Sequence, residues 1–334
     1  MDNSVGARSK TCEKSGLLTG FQRDHGGGID AARAAFGGAR NGWADLSTGI
    51  NPLPYTVPAF GQDVWTALPD TSAMEELCSA ARRFWNVPQE AAIVATPGAS
   101  SIIAQIPTLC ARGCVHIPAP TYNEHAAAFE MHGWKAGTAK EANAQVVVHP
   151  NNPTGALWTA QTLPAAAPAL TVIDESFCDV CPEQSLITLS DRKGTLVLKS
   201  FGKFWGLAGI RLGFAIGDPA LIEQLRARLG PWAVSGPALR VGAVALGDLS
   251  WADQTRQRLA RDSDRLDRLM VNAGASVEGG TPLFRLYRVD AALDWQTRLA
   301  RHHIWSRVFP YNPQWLRLGL PHPLHWSRLE AALA

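Results

Sequence analysis

Three polar segments in the middle of the chain follow short apolar runs, and their residue types could support covalent chemistry. They are residues 150–155 (PNNPTG), 174–177 (DESF) and 199–203 (KSFGK). A desolvated lysine amine can form a Schiff base with an aldehyde cofactor. Of the seven lysines, Lys203 is the one in a Ser/Gly-rich turn with an arginine, Arg211, eight residues later. Lys203 is therefore the candidate nucleophile.

The residues around Lys203 could supply what an aldehyde cofactor of the pyridoxal phosphate type requires. Such a cofactor needs an acidic partner for its ring nitrogen and donors for its phosphate. Asp174 could serve the nitrogen, and Ser200 with Arg211 could serve the phosphate. Taken singly, an Asp after a strand is often a turn or helix cap, and a strand-end lysine often extends into solvent. The joint order of these residues favours a cofactor site.

The elements that must position these residues alternate along the chain. Nearly continuous apolar, β-branched runs recur between residues 92 and 216, as in strands that are buried on both faces. Helix-length segments such as residues 99–110 separate them. The alternation predicts an α/β fold with a mostly parallel central sheet wrapped by helices. Ligands bind such sheets beyond the carboxyl ends of the strands, where the polar segments lie.

The pattern changes after about residue 236. An Arg-rich helix is predicted around residues 251–273, followed by strand-like segments at 283–289 and 315–320. The mixed-sign charges of this helix favour a solvated face over a binding surface. We predict an N-terminal arm (1–45), a large cofactor-binding domain (46–235) and a small α+β domain (236–334).

Composition excludes several classes of function. The chain has 31 Lys and Arg against 29 Asp and Glu, a net charge of +2, so it lacks the basic footprint of nucleic-acid binding. No apolar stretch approaches the ~20 residues of a membrane span. The first 24 residues lack the apolar core of a secretory signal, so we expect a cytoplasmic protein with six reduced cysteines. Because the spacing of the cysteine pairs 110/114 and 178/181 is irregular, no metal is expected.

Together these segments resemble the class I/II aminotransferase group, fold type I of the pyridoxal-phosphate enzymes. The matching motifs are residues 152–155 (NPTG), 174–177 (DESF), 200–203 (SFGK) and 206–211 (GLAGIR). The last two are highly specific, whereas residues 98–100 (GAS) alone would be weak. The resemblance runs through most of the chain and implies pyridoxal 5'-phosphate as cofactor and a homodimer.

The resemblance also implies roles for individual residues. Lys203 would bind the cofactor covalently, Asp174 would pair with the pyridine nitrogen, and Asn152 would hydrogen-bond the 3-oxygen of the ring. The other implied cofactor contacts are the phosphate ligands Ala99, Ser100, Ser200 and Arg211 and the stacking aromatic Tyr122. For Tyr122, an ordinary half-buried loop tyrosine is the alternative interpretation.

Within this group, the chain is most similar to the L-threonine-O-3-phosphate decarboxylases of cobalamin biosynthesis. The similarity lies in residues 25–27 (HGG), 45–53 (DLSTGINPL) and 315–321 (WLRLGLP), and in Phe177, where many aminotransferases have Tyr. This branch implies decarboxylation of L-threonine 3-O-phosphate to (R)-1-amino-2-propanol O-phosphate. An aminotransferase acting on histidinol phosphate or a related amino acid is the alternative, and a non-catalytic relative is a third hypothesis.

Substrate contacts follow from the same resemblance. Arg317 matches the arginine that binds the substrate carboxylate, and Arg307 and His25 are candidates for the substrate phosphate. A surface charge for Arg307 and a turn residue for His25 are the alternatives. Two positions depart from the pattern: Gly49 stands where the decarboxylases often have Asn, and Leu68 stands where related enzymes have a Tyr that reaches across a dimer.

Overall fold

Strands and helices alternate through the central part of the computed structural model, which describes residues 25–163 and 168–334. The strands in these ranges are β1 (Ala44–Asp45), β2 (Ala92–Thr96), β3 (Cys114–His116), β4 (Lys135–Ala136), β5 (Ala144–Val148), β6 (Leu170–Asp174), β7 (Thr195–Ser200), β8 (Gly213–Gly217), β9 (Ser276–Thr281), β10 (Phe284–Arg288), β11 (Ile304–Trp305), β12 (Arg307–Phe309) and β13 (Asn312–Gly319). The α-helices are α1 (Ile29–Phe36), α2 (Asp63–Thr66), α3 (Thr71–Phe84), α4 (Ala99–Gln105), α5 (Asn123–Met131), α6 (Pro219–Leu229), α7 (Gly236–Gly247), α8 (Leu249–Asn272), α9 (Ala292–Arg301) and α10 (Trp326–Leu333).

The central sheet has the strand order β2-β8-β7-β6-β5-β3-β4. Strands β7, β6, β5, β3 and β4 run parallel, whereas β8 lies antiparallel between β2 and β7. In the register of the sheet, Asp174 at the end of β6 is the neighbour of Val148 on one side and of Leu198 on the other. The predicted α/β fold is confirmed, and the polar segments after β5, β6 and β7 meet at one edge.

Helices cover both faces of the sheet, which explains the apolar strand sequences. Val147 and Ile173 point into one core with α3 and α7, while the adjacent Val146 and Val172 point into another with α4, α5 and α6. Alternate residues of a strand point to opposite faces, so a strand covered on both sides is apolar throughout. This double covering makes the strand ends a rigid support for the site.

A second sheet, antiparallel and of order β12-β13-β10-β9, forms the C-terminal part. The long helix α8, predicted around residues 251–273, packs against β9 and β10. Its Asp267 accepts hydrogen bonds from Arg285 at 3.0 and 2.8 Å and from the Tyr287 hydroxyl at 2.7 Å. The helix is thereby fastened to the sheet that carries Arg317 on β13.

The N-terminal segment joins the C-terminal part. Strand β1 pairs in parallel with β11, and the Trp305 indole donates to the Gly27 carbonyl at 2.9 Å. Helix α7, just beyond the predicted boundary at residue 236, packs against α3. Residues 1–24 of the predicted arm lie outside the described residues, and the division into three parts stays a prediction.

A buried charge network lies beneath the strand ends. The Lys199 amine is 2.6 Å from Glu175 Oε2 and 3.7 Å from Asp179 Oδ1. Asp179 also accepts hydrogen bonds from the indoles of Trp85 and Trp205, at 2.8 and 3.1 Å. Burial alone would lower the pKa of Lys199, but the two carboxylates outweigh it and raise that pKa above its ordinary value. The network fixes the backbone that follows Asp174.

Replacing Lys199 by Ala should destabilise the protein strongly, because two carboxylates would be left buried without their cation. Breaking a buried ion pair costs about 3 to 5 kcal/mol. Urea unfolding at neutral pH measures the loss, with the exposed Lys193→Ala as the matched control. A loss for Lys199→Ala no larger than that of the control would contradict this account.

Candidate active site

A cleft with an empty volume of about 640 Å³ opens beyond the carboxyl ends of β5, β6 and β7. It is lined by all eight predicted cofactor residues, namely Ala99 and Ser100 at the start of α4 and Tyr122, Asn152, Asp174, Ser200, Lys203 and Arg211. The sequence motifs therefore converge on one place although they span more than a hundred residues.

Asp174 is buried at the end of β6, with 2% of its surface exposed. Its Oδ1 accepts hydrogen bonds from the Ser176 backbone N–H at 3.0 Å and the Ser176 hydroxyl at 2.6 Å, and its Oδ2 lies 2.8 Å from His125 Nε2. Burial by itself would raise the pKa of Asp174, but His125 and Ser176 together hold it below its ordinary value. The carboxylate is thus kept ionised in the interior.

His125, which the sequence analysis missed, is fully buried on α5. It comes three residues after Tyr122, and the two rings meet edge to face with centroids 6.0 Å apart. Burial, with the negative charges of Asp174 and Glu124, raises the pKa of Tyr122 to about 12. The Tyr-x-x-His spacing was a usable signal, because Tyr122 is the N-cap of α5 and His125 lies in the first turn of that helix.

Lys203 lies in the turn after β7, with its amine 5.1 Å from the centroid of the Phe177 ring. Burial, followed by the positive charge of Arg317, lowers the pKa of Lys203 to about 8, although Asp174 opposes the shift. Near that pH about half of the amines are uncharged. Lys203 therefore has the nucleophilic form available under ordinary conditions.

The segment 45–53 holds the lysine turn in place through Asn51, another residue that the sequence analysis did not single out. The Asn51 backbone N–H donates to the Lys203 carbonyl at 3.0 Å, and its side-chain amide donates to the Phe204 carbonyl at 2.9 Å. Arg258 of α8 donates to Asn51 Oδ1 at 2.6 Å. Asn51 thereby connects the turn to the long C-terminal helix.

Two glycines let backbone and guanidinium approach closely at the Ser200–Arg211 end of the cleft. Gly98 has a φ of +83°, and a Cβ there would lie 2.7 Å from Arg211 Nη2. A Cβ at Gly213 would lie 2.5 Å from the backbone nitrogen of Ala99. The start of α4 and Arg211 thus converge, which suits an anionic group.

Arg317 and Asn152 are in direct contact. Arg317, which is 4% exposed, donates to Asn152 Oδ1 through Nη1 and to the Ser47 carbonyl at 2.7 Å through Nη2. The buried Asn151 shapes the same loop, because its side chain donates to the Pro120 carbonyl at 3.0 Å and the Thr154 hydroxyl at 2.8 Å. The predicted carboxylate arginine therefore lies beside a predicted cofactor residue.

The two candidates for the substrate phosphate lie near the same cleft. Arg307 on β12 is the register partner of Arg317 on β13, which places both on one face of the antiparallel pair. It is half-buried, and its charge contributes to lowering the pKa of Lys203. His25 Nε2 lies 3.0 Å from Glu124, and its ring centroid is 6.2 Å from that of Tyr122.

The two departures from the decarboxylase pattern have different surroundings. A Cβ at Gly49 would lie 2.8 Å from Phe177 Cε1 and 2.9 Å from Phe284 Cδ1, so the two aromatic rings occupy the space of a side chain. Leu68 is 65% exposed on the surface. The first departure is explained by packing within this chain.

One buried cluster has the residue types of a metal site. Ligand atoms of His149, Glu175 and Cys178 lie within 4.8 Å of one another. His149 Nδ1 accepts from the Trp158 N–H at 3.0 Å, its Nε2 is 2.7 Å from the Gln184 carbonyl, and Glu175 is paired with Lys199. Both ring nitrogens of His149 and the carboxylate of Glu175 thus already have hydrogen-bond partners. We interpret the cluster as a hydrogen-bond network that stabilises the fold.

A solved structure that resembles this chain shows its fold. A histidinol-phosphate aminotransferase from Sinorhizobium meliloti, in complex with pyridoxal-5'-phosphate, superposes with a TM-score of 0.74 at 18% identity and 97% coverage of both chains. That likeness shows an aminotransferase fold. Residues 59–323 match the family described as aminotransferase class I and II, and the chain belongs to this family.

Two relatives are similar over nearly their whole length. A threonine-phosphate decarboxylase of Sinorhizobium sp. is 39% identical, and one of Pseudomonas aeruginosa is 36% identical; each alignment covers 93% of this chain and 97% of the relative. Among the described helices, none combines the length and apolar character needed to cross a bilayer. The alignments with the two threonine-phosphate decarboxylases leave little of either chain unmatched.

Replacing Ser176 by Ala should destabilise the protein at neutral pH, because the ionised Asp174 would lose a hydroxyl donor. A hydrogen bond to a charged group contributes roughly 1.5 kcal/mol or more. A lowered carboxyl pKa contributes stability above the unfolded-state pKa and loses it as pH falls through the folded-state value. The difference from wild type, measured by urea unfolding, should therefore narrow from about pH 5 to about pH 2. The exposed Ser72→Ala serves as control, and a pH-independent difference for Ser176→Ala would contradict the assignment.

Proposed function

We propose that this protein decarboxylates L-threonine 3-O-phosphate to (R)-1-amino-2-propanol O-phosphate in cobalamin biosynthesis, with pyridoxal 5'-phosphate as cofactor. The observation that carries the proposal is the pairing of Arg307 and Arg317 beside Lys203, in a chain whose near full-length relatives are threonine-phosphate decarboxylases. Two arginines suit a substrate with a carboxylate and a phosphate. We also propose that the protein is cytoplasmic and that it forms a homodimer.

The cleft residues fit the cofactor. Lys203 would attach it, the ionised Asp174 would pair with its ring nitrogen, and Asn152 and Tyr122 would contact the ring. Its phosphate would be held by Ala99, Ser100, Ser200 and Arg211. Because Gly98 has no side chain, the Arg211 guanidinium can lie against the backbone that precedes α4, where it would help to bind the cofactor phosphate. When bound, pyridoxal phosphate supplies an electron-withdrawing ring that stabilises negative charge at the substrate α-carbon.

The protein's own groups prepare this chemistry. His125 and Ser176 keep Asp174 negatively charged, which favours the protonated form of a ring nitrogen paired with it. Asn51 fixes the Lys203 turn, and the lowered pKa of Lys203 provides an uncharged amine near pH 8. These groups are ordered before the substrate arrives, so little reorganisation accompanies the reaction.

Arg317 and Arg307 determine which bond breaks. A substrate of this class can lose either its carboxylate or its α-proton, and its orientation decides between them. Arg317 would bind the carboxylate, while Arg307, assisted by His25, would bind the phosphate. Binding energy from the distant phosphate is then expressed as orientation of the bond to the carboxylate.

Loaded with pyridoxal phosphate, the purified protein should release carbon dioxide from L-threonine 3-O-phosphate and form (R)-1-amino-2-propanol O-phosphate. Mass spectrometry of the amine and trapping of the gas measure both products. Lys203→Ala should abolish turnover and the borohydride-fixed cofactor adduct, because the attaching amine is absent.

Two results would revise the assignment. A fixed adduct that persists at another lysine would remove Lys203 from its role. Transfer of the amino group of histidinol phosphate to 2-oxoglutarate faster than carbon dioxide release would replace the decarboxylase by an aminotransferase.

Arg307→Ala should reduce kcat/KM for threonine phosphate by about a hundredfold, because a charge-assisted contact that orients the substrate is lost. Turnover of unphosphorylated threonine, poor in the wild type, should be unaffected. The exposed Arg301→Ala is the matched control. Equal losses on both substrates would show that Arg307 does not contact the phosphate.

The homodimer is proposed to form around the packed helices α2 and α7. Three large apolar residues are exposed there: Trp65 (67%), Leu68 (65%) and Trp232 (59%). Sedimentation should give twice the chain mass, and Trp65→Glu with Leu68→Glu should shift it toward the monomer, because burying two charges opposes association. Leu324→Glu, at a residue 79% exposed elsewhere, is the control. A wild-type monomer would refute the proposal.

A further inference from the structure

Two phenylalanine rings from different parts of the fold meet beside the lysine turn. Phe177 follows β6 in the large sheet, and Phe284 begins β10 in the C-terminal sheet. Their centroids are 4.9 Å apart with ring planes at 79°, and both side chains are buried. Such an edge-to-face pair is a favoured aromatic geometry. The contact joins the two sheets at the cleft.

Each ring also faces a cation of the site. The Lys203 amine lies 5.1 Å from the Phe177 centroid, and the Arg317 guanidinium lies 5.1 Å from the Phe284 centroid. Both distances are within the ~6 Å over which the negative face of a ring attracts a cation. The aromatic pair thus contacts the lysine at one ring and the carboxylate arginine at the other.

Gly49 makes this arrangement sterically feasible. A Cβ at position 49 would come within 2.8 Å of Phe177 and 2.9 Å of Phe284, both at ring carbons that cannot swing aside without disturbing the pair. The backbone of Gly49 is not in the left-handed region. Glycine is therefore required there because a side chain would clash with the two rings, and not because of its backbone conformation. The contact between the two rings therefore depends on the absence of a side chain at position 49.

We propose that Gly49, Phe177 and Phe284 form a positioning unit that couples Lys203 of the large sheet to Arg317 of the C-terminal sheet. Phe177 stabilises the protonated amine, and Phe284 holds the guanidinium toward the substrate. Gly49 keeps the two rings in contact so that both cations are set together. The inference rests on the proposed function for the roles of Lys203 and Arg317.

Removing the face of either ring should have a distinct consequence. Phe177→Leu retains apolar burial but not the ring face, so the pKa of Lys203 should fall further, by roughly half a unit to one unit. Phe284→Leu should instead raise KM for threonine phosphate several-fold with little change in kcat, because it loosens a binding group. Gly49→Ala should produce both effects at once.

The experiment uses the full-length protein with and without pyridoxal phosphate. In cofactor-free protein, the pH dependence of Lys203 acetylation by acetic anhydride, followed by peptide mass spectrometry, reports the pKa of the amine. In the loaded protein, a pH titration of the visible absorption band gives a second readout. The variants are Gly49→Ala, Phe177→Leu and Phe284→Leu. Gly42→Ala is the matched control, since nothing lies within 4 Å of a Cβ at that glycine.

A lowered Lys203 titration in Phe177→Leu and Gly49→Ala, with unchanged values in Gly42→Ala, supports the unit. An unchanged titration in Phe177→Leu, or a folded Gly49→Ala with unchanged titration and KM, overturns it. If Gly49→Ala does not fold, Phe177→Leu and Phe284→Leu decide the outcome. The acetylation profile needs no substrate, so an inactive protein with the expected profile would refute the decarboxylase proposal and not this one.

Discussion

The site depends on one interaction, the hydrogen bonding that keeps the carboxylate of Asp174 charged at the buried end of β6. An unpaired carboxylate in such surroundings would take up a proton instead. Three donors from His125 and Ser176 prevent this, and they are available because α5 packs beneath the strand ends while β6 turns sharply after Asp174. The helix layer, the parallel sheet and the turn are therefore all required to maintain a single negative charge.

The sequence predicted those parts of the site that are encoded by contiguous motifs. Lys203 and Asn152 could be placed because each follows a recognisable strand within a few residues, and Arg211 because it lies just before one. The supporting contacts could not be predicted in this way. His125 meets Asp174 across 49 residues, and Arg258 meets Asn51 across 207, so only the folded topology brings them together. Local spacing carries no information about such pairs, except where a hairpin links them, as it does Arg307 and Arg317.

At Gly49 the chain departs from the family pattern, and neighbouring side chains fill the volume that the missing side chain would occupy. Without structural information, glycine in place of a polar residue reads as the loss of a contact. The structure instead fills that volume with the rings of Phe177 and Phe284, which approach from two sheets. A pattern comparison treats each position separately, whereas packing couples position 49 to residues more than a hundred positions away.

The charge balance of the cleft favours a substrate with two anionic groups. Arg211, Arg307 and Arg317 all act on Lys203 and lower its pKa, and Asp174 is the carboxylate that opposes them. In the proposed reaction, the cofactor phosphate offsets Arg211, and Asp174 is matched by the protonated ring nitrogen. Arg307 and Arg317 then place two positive charges on one face of a hairpin, which favours a substrate with two negative charges. An amino acid that carries its own phosphate has one anionic group for each arginine, whereas a simple amino acid has only its carboxylate.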